Sequence, residues 1–458
     1  MTSPVTKPVP AIGPSSADPA TSVENGSPAR SSTTPRPRVA MALFGDVTYD
    51  SRARKEAASL AEAGYDVTIV CLAGGDSGQD LPANVTIVVR RPAGPMIVPG
   101  STNPFSGGRA GRIARVRRRV AWLVDYVRGL RSWGRLAVDA AGAVDAWHAH
   151  DLTGLAAIVP FVPRDVPVVY DSHEFFLEYG TASMLPGPVR RLLRSYERRC
   201  VARTAALITV NEQIAAELTR RYRPRVTAVV HNCPVLETPP PTGVLDRQAE
   251  GIPPDAPIVM YHGGLAAGRG IEPLMQALLR PGLEDMHLLL MGYGEMRDSL
   301  QAMTQSAPWR GRLHMIKPVP PGEVTSWVAS ADLGVMINPG RTANDRFSSP
   351  NKLFECMAAG IPVLASDFPT FRRIVMEGPE GALGAVCDPL DVGAIASSIE
   401  AMIRRSPAER DELRRRCRQA AEARWNWDVE SRSLLAVYAN LDLGHNQKTP
   451  QRLTAREG

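Results

Sequence analysis

The sequence has no apolar run that approaches the roughly 20 residues needed to cross a bilayer, so no transmembrane helix is predicted. The N-terminal residues contain no hydrophobic signal core. The six cysteines are scattered without Cys-x-x-Cys spacing, which argues against a disulfide framework and against structural zinc. These absences predict a cytoplasmic protein with free thiols.

The charge is nearly balanced, with 53 basic residues against 47 acidic ones and a net charge of +6. That excess is modest for 458 residues, and no nucleic-acid recognition motif accompanies the arginines. We therefore expect no nucleic-acid partner. Hydrophobic residues at 44% and charged residues at 22% are typical of a soluble globular enzyme, and the length indicates more than one domain.

Strand and helix patterns alternate along the chain. An apolar strand at residues 38–44, a helix at 52–60 and a second strand at 66–72 form a predicted βαβ unit, which implies a parallel sheet. Polar residues follow the later apolar runs, at the strand ends where open parallel sheets bind ligands. Further strands are predicted at residues 146–151, 166–171, 205–210, 226–232, 257–264, 287–292 and 333–337.

This alternation falls into two halves joined by a proline-rich connection. The halves are predicted to be doubly wound domains at residues 38–235 and 257–424, with residues 236–256 as the linker. A helical segment at residues 425–443 ends the ordered chain. The two ends are predicted to be disordered tails, at residues 1–37, which are rich in Pro, Ser and Thr, and at residues 444–458.

The most informative segment, residues 347–367, predicts a loop, a short helix and a buried strand. Ser348 or Ser349 is placed to cap the helix, Pro350 suits its first turn, and Gly360 ends it. The free amides of such a helix start can bind an anionic group, for example a diphosphate.

Two charged residues of this helix suggest what the site binds. Lys352 lies in the first turn and adds a positive charge to the helix start, while Glu355 follows about one turn later. A carboxylate there can accept hydrogen bonds from a vicinal diol such as ribose. The alternative is an ordinary capped helix, and the residues alone leave both interpretations open.

The segment resembles the donor-site signature of the family 4 glycosyltransferases, Pro-Asn-Lys-x-x-Glu-x-Met-Ala-x-Gly-x-Pro-Val-x-Ala-Ser, and meets every fixed position. The resemblance extends over most of residues 38–441. It implies the GT-B fold, an α/β architecture of two Rossmann-like doubly wound domains facing a cleft, with the last helices crossing back to the first domain. It also implies a retaining, metal-independent transferase that uses a nucleotide-diphosphate sugar as co-substrate and needs no cofactor.

The resemblance also assigns residues of the second domain to the sugar donor. Glu355 would hold the ribose, the helix start would face the diphosphate, and the glycine-rich loop before residue 271 would approach the phosphates. The residues implied for donor binding are Gly263, Gly264, Arg269, Gly292, Tyr293, Gly294, Lys317, Val319, Ser348, Ser349, Pro350, Asn351, Lys352, Leu353 and Glu355.

Two positions depart from the family pattern. Phe347 stands where many members carry a first glutamate that contacts the transferred sugar, so neighbours such as Asn344, Asp345 or Ser348 would have to bind the sugar hydroxyls. Gly264 stands where the family usually carries an arginine that contacts the diphosphate. One carboxylate and one cation of the expected site are therefore missing.

Histidines and acidic residues follow two strands of the first domain. The resemblance places His173 against the transferred sugar, and Asp151 is a weaker candidate of the same kind. With His148 and His150, Asp151 could suggest metal ligation, but alternate side chains of a strand share one face and no further ligands are evident. No metal is predicted.

The loop after the first strand carries candidates for the acceptor side of the cleft. They are Asp46, Asp50 and Arg52. Asp50 can equally be the cap of the helix that follows.

Residues 109–135 form the only strongly basic stretch. Apolar residues recur there at helical spacing among arginines, together with Trp122 and Trp133, as in a basic amphipathic helix that lies on an anionic membrane. The alternative is a helix packed on the first domain with solvated arginines. Peripheral contact at the inner face of the membrane is thus one of two hypotheses.

The combined interpretation is a glycosyltransferase that moves a sugar from a nucleotide-diphosphate sugar to a glycan or lipid-linked acceptor. Arg269 and Lys352 would stabilise the departing diphosphate, Glu355 would anchor the ribose, and His173 would align the sugar. Two alternatives remain at this point: a non-catalytic sugar-nucleotide binder and a GT-B sugar-nucleotide epimerase.

Overall fold

The computed structural model describes residues 35–74, 80–92 and 112–443. The predicted tails lie outside these residues except for residues 35–37, and so does the beginning of the basic stretch at residues 109–111.

The first domain is built on a parallel sheet of seven strands in the order β3-β2-β1-β4-β5-β6-β7, counted over the described residues. Most of its helices follow strands and cover the two faces of the sheet. Its elements are β1 (Arg38–Asp46), α1 (Ser51–Glu62), β2 (Asp66–Ala73), β3 (Val85–Val89), α2 (Arg112–Ala141), β4 (Ala146–His150), α3 (Asp151–Ile158), β5 (Val168–Ser172), α4 (Gly180–Ser183), α5 (Gly187–Val201), β6 (Ala206–Thr209), α6 (Glu212–Tyr222) and β7 (Thr227–Val229).

The second domain repeats this plan with a parallel sheet of six described strands in the order β10-β9-β8-β11-β12-β13. Its elements are β8 (Ile258–His262), α7 (Ile271–Leu278), β9 (His287–Met291), α8 (Arg297–Met303), β10 (Leu313–Ile316), α9 (Val324–Val328), β11 (Leu333–Met336), α10 (Ala343–Phe347), α11 (Asn351–Ala358), β12 (Val363–Ser366), α12 (Pro369–Val375), β13 (Gly384–Cys387), α13 (Val392–Ile403), α14 (Pro407–Ala423) and α15 (Trp427–Ala439).

Burial explains why the central strands are mostly apolar. Every residue of β4, β5, β8 and β9 is buried, as expected for parallel strands covered by helices on both faces. The polar residues among them, such as His148 and Asp171, therefore lie in the interior and must find partners there.

The last helix, α15, packs on the first domain. Trp427, Leu434 and Tyr438 belong to the core that contains β1 and β2. The indole Nε1 of Trp427 donates to Ser59 Oγ at 2.9 Å, and Tyr438 Oη lies 2.9 Å from Nδ1 of His148. The chain thus crosses back to the first domain, as the resemblance implies.

Helix α2, which contains the basic stretch, is anchored by its C-terminal half. Leu130 and Trp133 are buried in the core, and Gly134 lets the helix touch α3, because a Cβ there would lie 1.9 Å from the carbonyl oxygen of Ala157. The packed alternative therefore holds for this half. The side chains of residues 112–120, on which the membrane hypothesis depends, lie outside the described part. Among the described residues, no helix is both long enough and apolar enough to span a membrane.

Candidate active site

A polar cleft of about 500 Å³ lies between the two sheets, where loops after the carboxyl ends of strands from both domains meet. We call it the active-site cleft. The residues that line it are Asp46, Tyr49, Asp50, Ser51, Arg52, His173, Glu174, Val210, Asn232, Arg269, Tyr293, Asn344, Ser348, Ser349, Pro350 and Asn351.

The start of α11 borders the cleft without a side-chain cap. Pro350 occupies the N-cap position and makes no capping hydrogen bond, so the prediction that Ser348 or Ser349 caps this helix is wrong. The hydroxyl of Ser349 instead donates to the carbonyl oxygen of Val210 at 3.1 Å and accepts from Asn211 Nδ2 at 3.2 Å. The serine joins the two domains, and the first amides of α11 keep no side-chain acceptor.

Lys352 lies beside this helix start. Its Nζ is 3.9 Å from the centre of the Tyr261 ring, a cation–π contact that orients the ammonium group. The same Nζ would lie 3.4 Å from a Cβ built on Gly263, so the lysine faces the glycine-rich loop. No carboxylate of the described residues forms an ion pair with it, which leaves the charge available for an anion.

Glu355 is held by a residue that the sequence did not suggest. Its Oε2 lies 2.8 Å from Nε2 of His262, at the end of β8, and its side chain is 22% exposed. The contact fixes one carboxylate oxygen and leaves the other for a ligand. Lys55 of the first domain lies near enough to be influenced by Glu355, although burial is the main influence on that lysine and lowers its pKa to about 8.

The glycines of the two donor loops are required by loop-to-loop packing. Leu265 N donates to the carbonyl oxygen of Tyr293 at 2.7 Å. A Cβ on Gly292 would lie 1.8 Å from the oxygen of Gly263, and one on Gly294 would lie 2.2 Å from the oxygen of Leu265. The Gly-x-Gly pattern therefore has a structural cause here, independent of any phosphate.

Arg269 reaches across the cleft to the first domain. Its Nη2 donates to the hydroxyl of Tyr179 at 3.1 Å, and the guanidinium lies 5.9 Å from the centre of that ring. A second guanidinium approaches the same loop, since a Cβ on Gly268 would come within 2.7 Å of Nη1 of Arg341. The loop that lacks an arginine at position 264 thus has another cation nearby.

Nine predicted donor residues are not among the residues that line the cleft. Six of them are four loop glycines and the two charged residues of α11, namely Gly263, Gly264, Gly292, Gly294, Lys352 and Glu355. The other three are Lys317, Val319 and Leu353. Lys317 is exposed after β10, and Val319 packs partly on the second-domain core. Leu353 is fully buried and its amide bonds to the carbonyl oxygen of Pro350 at 2.9 Å, so its side chain cannot contact a donor in this structure.

Several polar contacts hold His173, a residue of the first domain, in the cleft. Its Nε2 lies 2.9 Å from Oδ2 of Asp171 and 3.0 Å from Nδ1 of His150, and its own backbone N donates to Asp151 Oδ1 at 3.1 Å. Burial alone would lower the pKa of His173, but Asp151 and Asp171 outweigh it and raise the pKa to about 10. The imidazole is therefore a cation at neutral pH.

Asp151 supports His173 at a conformational cost. It has a φ of 55°, in the left-handed region that non-glycine residues seldom adopt. Its Oδ2 lies 3.7 Å from Nδ1 of His173. Such strain costs about 1–3 kcal/mol and is concentrated at functional sites.

Arg52 borders the cleft, but its guanidinium turns inward and is 2% exposed. It binds the carboxylate of Asp171 through two hydrogen bonds of 2.7 and 2.8 Å and the carbonyl oxygen of Val230 at 2.7 Å. Its Nε also lies 3.1 Å from Glu56. We therefore reassign Arg52 from acceptor contact to support of the Asp171–His173 pair.

The buried group around Arg52 has the composition of a metal site. Four residues each offer one possible ligand atom, and these atoms all lie within 4.8 Å of one another. The residues are Glu56, His148, His150 and Asp171. Arg52 already lies against both carboxylates, so a metal cation would meet its positive charge. Arg52 thus offsets the negative charge of this group. The expectation that the two histidines have no further possible ligands nearby is wrong, because Glu56 and Asp171 lie beside them.

Asp46 and Asp50 line the cleft from the first domain. Asp50 is the cap of α1, because its Oδ1 accepts from Ala53 N at 3.0 Å. It also lines the cleft, and its contact with an acceptor stays a prediction. Asp46 Oδ1 accepts from Thr48 N at 2.9 Å.

Two family models match the chain over most of its length. The model described as Glycosyl transferase 4-like domain covers residues 49–233, which include His173. The model described as Glycosyl transferases group 1 covers residues 245–424, which include Lys352 and Glu355. The chain belongs to the family 4 glycosyltransferases.

Curated relatives of this glycosyltransferase carry transferase names. The chain is 28% identical over 316 residues to D-inositol 3-phosphate glycosyltransferase of Xylanimonas cellulosilytica, across 65% of this chain and 72% of the relative. It is 27% identical over 353 residues to phosphatidyl-myo-inositol mannosyltransferase of Mycobacterium tuberculosis, across 73% and 82%. Activity as a glycosyltransferase is thereby confirmed, and the binder and epimerase alternatives are not favoured.

Solved structures share the fold. Anabaena HepE in complex with UDP and glucose matches with a TM-score of 0.60 at 15% identity, across 89% of this chain and 100% of that structure. The predicted GT-B architecture is confirmed.

Proposed function

We propose that this glycosyltransferase transfers a sugar from a nucleotide-diphosphate sugar to a glycan or lipid-linked acceptor, with retention of configuration. The observation that carries the proposal is the α11 start, where uncapped amides and the unpaired ammonium of Lys352 converge beside the glycine-rich loop. Amide dipoles and a cation held in place stabilise a departing diphosphate without having to reorganise.

We assign the other candidate residues to different parts of the substrate. Glu355, fixed by His262, is placed to accept a hydrogen bond from the ribose, and Arg269 supplies a second cation for the diphosphate. His173 presents a protonated imidazole from the first domain toward the sugar. Asp46 and Asp50 remain the candidates for the acceptor.

The acceptor class draws on the names of two relatives, one that refers to an inositol phosphate and one to a phosphatidylinositol. A polyol, free or attached to a lipid, is the chemistry they share. A cytoplasmic location is supported by the six cysteines, which are all buried free thiols. Contact with the inner face of the membrane is the further proposal for the basic stretch at residues 109–135.

A binding screen followed by a product assay tests the proposal. UDP, GDP, ADP and their sugars are compared by thermal shift, because a ligand that binds only the native state raises Tm. The best donor is then incubated with and without inositol phosphate or phosphatidylinositol vesicles and followed by NMR. We expect one nucleotide to raise Tm and transfer to require an acceptor. No shift with any nucleotide, or conversion of the donor to an epimer without an acceptor, would overturn it.

A further inference from the structure

Glu174 is a cleft residue with an interdomain hydrogen bond, and neither sequence motif nor resemblance gives it a role. It follows His173 after β5 and lines the active-site cleft. Its Oε2 accepts from Nδ2 of Asn344, a residue of the second domain, at 2.6 Å. Asn344 is itself fixed, because it is 2% exposed and its Oδ1 accepts from Phe175 N at 2.8 Å. The carboxylate is thus held in one orientation.

The second oxygen of this carboxylate is unused. Within the described part of the chain, no hydrogen bond reaches Oε1 of Glu174, although Oε2 is bonded. A fixed carboxylate oxygen beside a polar cleft is an acceptor for a hydroxyl group. It is unsuited to the diphosphate, which carries the same charge.

Phe347 cannot supply a carboxylate to the cleft from the second domain. It packs against the core of the first domain, and Asn211 Nδ2 donates to its carbonyl oxygen at 2.8 Å. The carboxylate of Glu174 forms no ion pair with the described residues, and it lies near enough to Arg269 for each group to influence the pKa of the other.

We propose that Glu174 contacts the substrate directly, and that its carboxylate accepts a hydrogen bond from a hydroxyl of the sugar being transferred. The proposal rests on the proposed function, since it requires a sugar in this cleft. Asn344 is the positioning residue for Glu174. Glu174 and Asn344 belong to different domains. The carboxylate of Glu174 is therefore held in place only while the two domains are in contact at this point.

The protonation of Glu174 gives the proposal a pH signature. Burial raises its pKa to about 7, against the opposing hydrogen bond from Asn344. The charged groups that face it are Arg269 of the second domain and His173 and Asp151 of its own. His173, with a pKa of about 10, stays protonated through this range. A neutral carboxyl is a poorer acceptor, so activity should rise as pH increases through about 7.

The test compares wild type with Glu174→Gln, which keeps the shape and removes the charge, and with Glu323→Gln, an exposed control outside the cleft. For Glu174→Gln we expect kcat/KM for the donor sugar to fall about 10- to 100-fold. The Kd of the nucleoside diphosphate without sugar should stay unchanged, and the rise in activity near pH 7 should disappear. The control should match wild type.

Donor analogues that each lack one hydroxyl test the contact even where the variant folds poorly. With wild type, one deoxy donor should lose about tenfold or more in kcat/KM. With Glu174→Gln, the same analogue should lose nothing further relative to the full donor.

The outcomes separate the two proposals. If Lys352→Ala abolishes transfer while Glu174→Gln keeps the kcat/KM and pH profile of wild type, the role of Glu174 is wrong and the function stands. The role of Glu174 is equally wrong if wild type uses every deoxy donor as well as the full donor. If wild type binds no nucleoside diphosphate, both proposals fail.

Discussion

Nε2 of His173 lies 2.9 Å from Oδ2 of Asp171, and Arg52 binds the same carboxylate from the interior. A buried aspartate would normally resist ionisation. Here Arg52 and His173 hold the pKa of Asp171 well below its usual range, against the effect of burial. The imidazole is therefore oriented by a carboxylate that is itself locked in place, which is the arrangement that precise positioning of a sugar requires.

Asp171→Asn should destabilise the protein and change the orientation of the His173 imidazole. Removing one partner of a buried ion pair leaves Arg52 without its main counter-charge, which costs about 3–5 kcal/mol in the free energy of unfolding. Urea unfolding monitored by circular dichroism measures the loss, with exposed Asp165→Asn as the control that should change it little. Equal stability of the two variants would show that the network contributes nothing.

The raised pKa of His173 predicts a pH dependence of stability. A group whose pKa is higher in the folded state stabilises it below the ordinary value of 6.5, and this contribution is lost as pH rises through about 10. The free energy of unfolding of wild type minus that of His173→Gln should therefore decrease by about 3–5 kcal/mol between pH 6 and pH 10, since a pKa difference of one unit corresponds to about 1.4 kcal/mol. A difference that stays constant over this range contradicts the assignment.

Lys352→Ala should weaken binding of nucleoside diphosphates. A charge-assisted hydrogen bond contributes about 1.5–3 kcal/mol, so Kd should rise roughly 10- to 100-fold. Isothermal titration calorimetry measures this. Lys317→Ala is the matched control, because it removes the same charge from an exposed position directly after β10 and outside α11. If both lysines have equal effects, the contribution is long-range charge and not a contact at α11.

Gly292→Ala should be destabilising while Gly264→Ala should be tolerated. A methyl group at residue 292 would meet the oxygen of Gly263 at 1.8 Å, and the backbone there has a φ of 154°. At residue 264 nothing lies within 4 Å. We expect a loss of about 2–4 kcal/mol for the first and little change for the second, measured by thermal unfolding. Similar Tm values for the two would contradict the packing of these loops.

The central strands were predictable because fully buried parallel strands are continuous apolar runs. The three strands that the pattern missed, β3, β10 and β13, all lie at the edges of their sheets. They are four or five residues long, and β3 is only partly buried, so their apolar signal is short and weak.

The α11 site was predictable because its residues are local in sequence, and local spacing fixes which side chains share a helix start. The residue pairs that hold the site residues in position could not be predicted from the sequence. Arg52 and Asp171 are 119 positions apart, and His262 and Glu355 are 93 apart. Only the register of the strands brings such pairs together. Ser349 was misassigned for the same reason, since its partner Val210 belongs to the other domain.

A crystal structure of the protein with the nucleoside diphosphate that gives the largest thermal shift would show directly whether the start of α11 binds the diphosphate. We expect a phosphate within about 3 Å of Nζ of Lys352 and of the first amides of α11, with the ribose at Glu355. A diphosphate bound elsewhere, with Lys352 still stacked on Tyr261 and far from any phosphate oxygen, would contradict it.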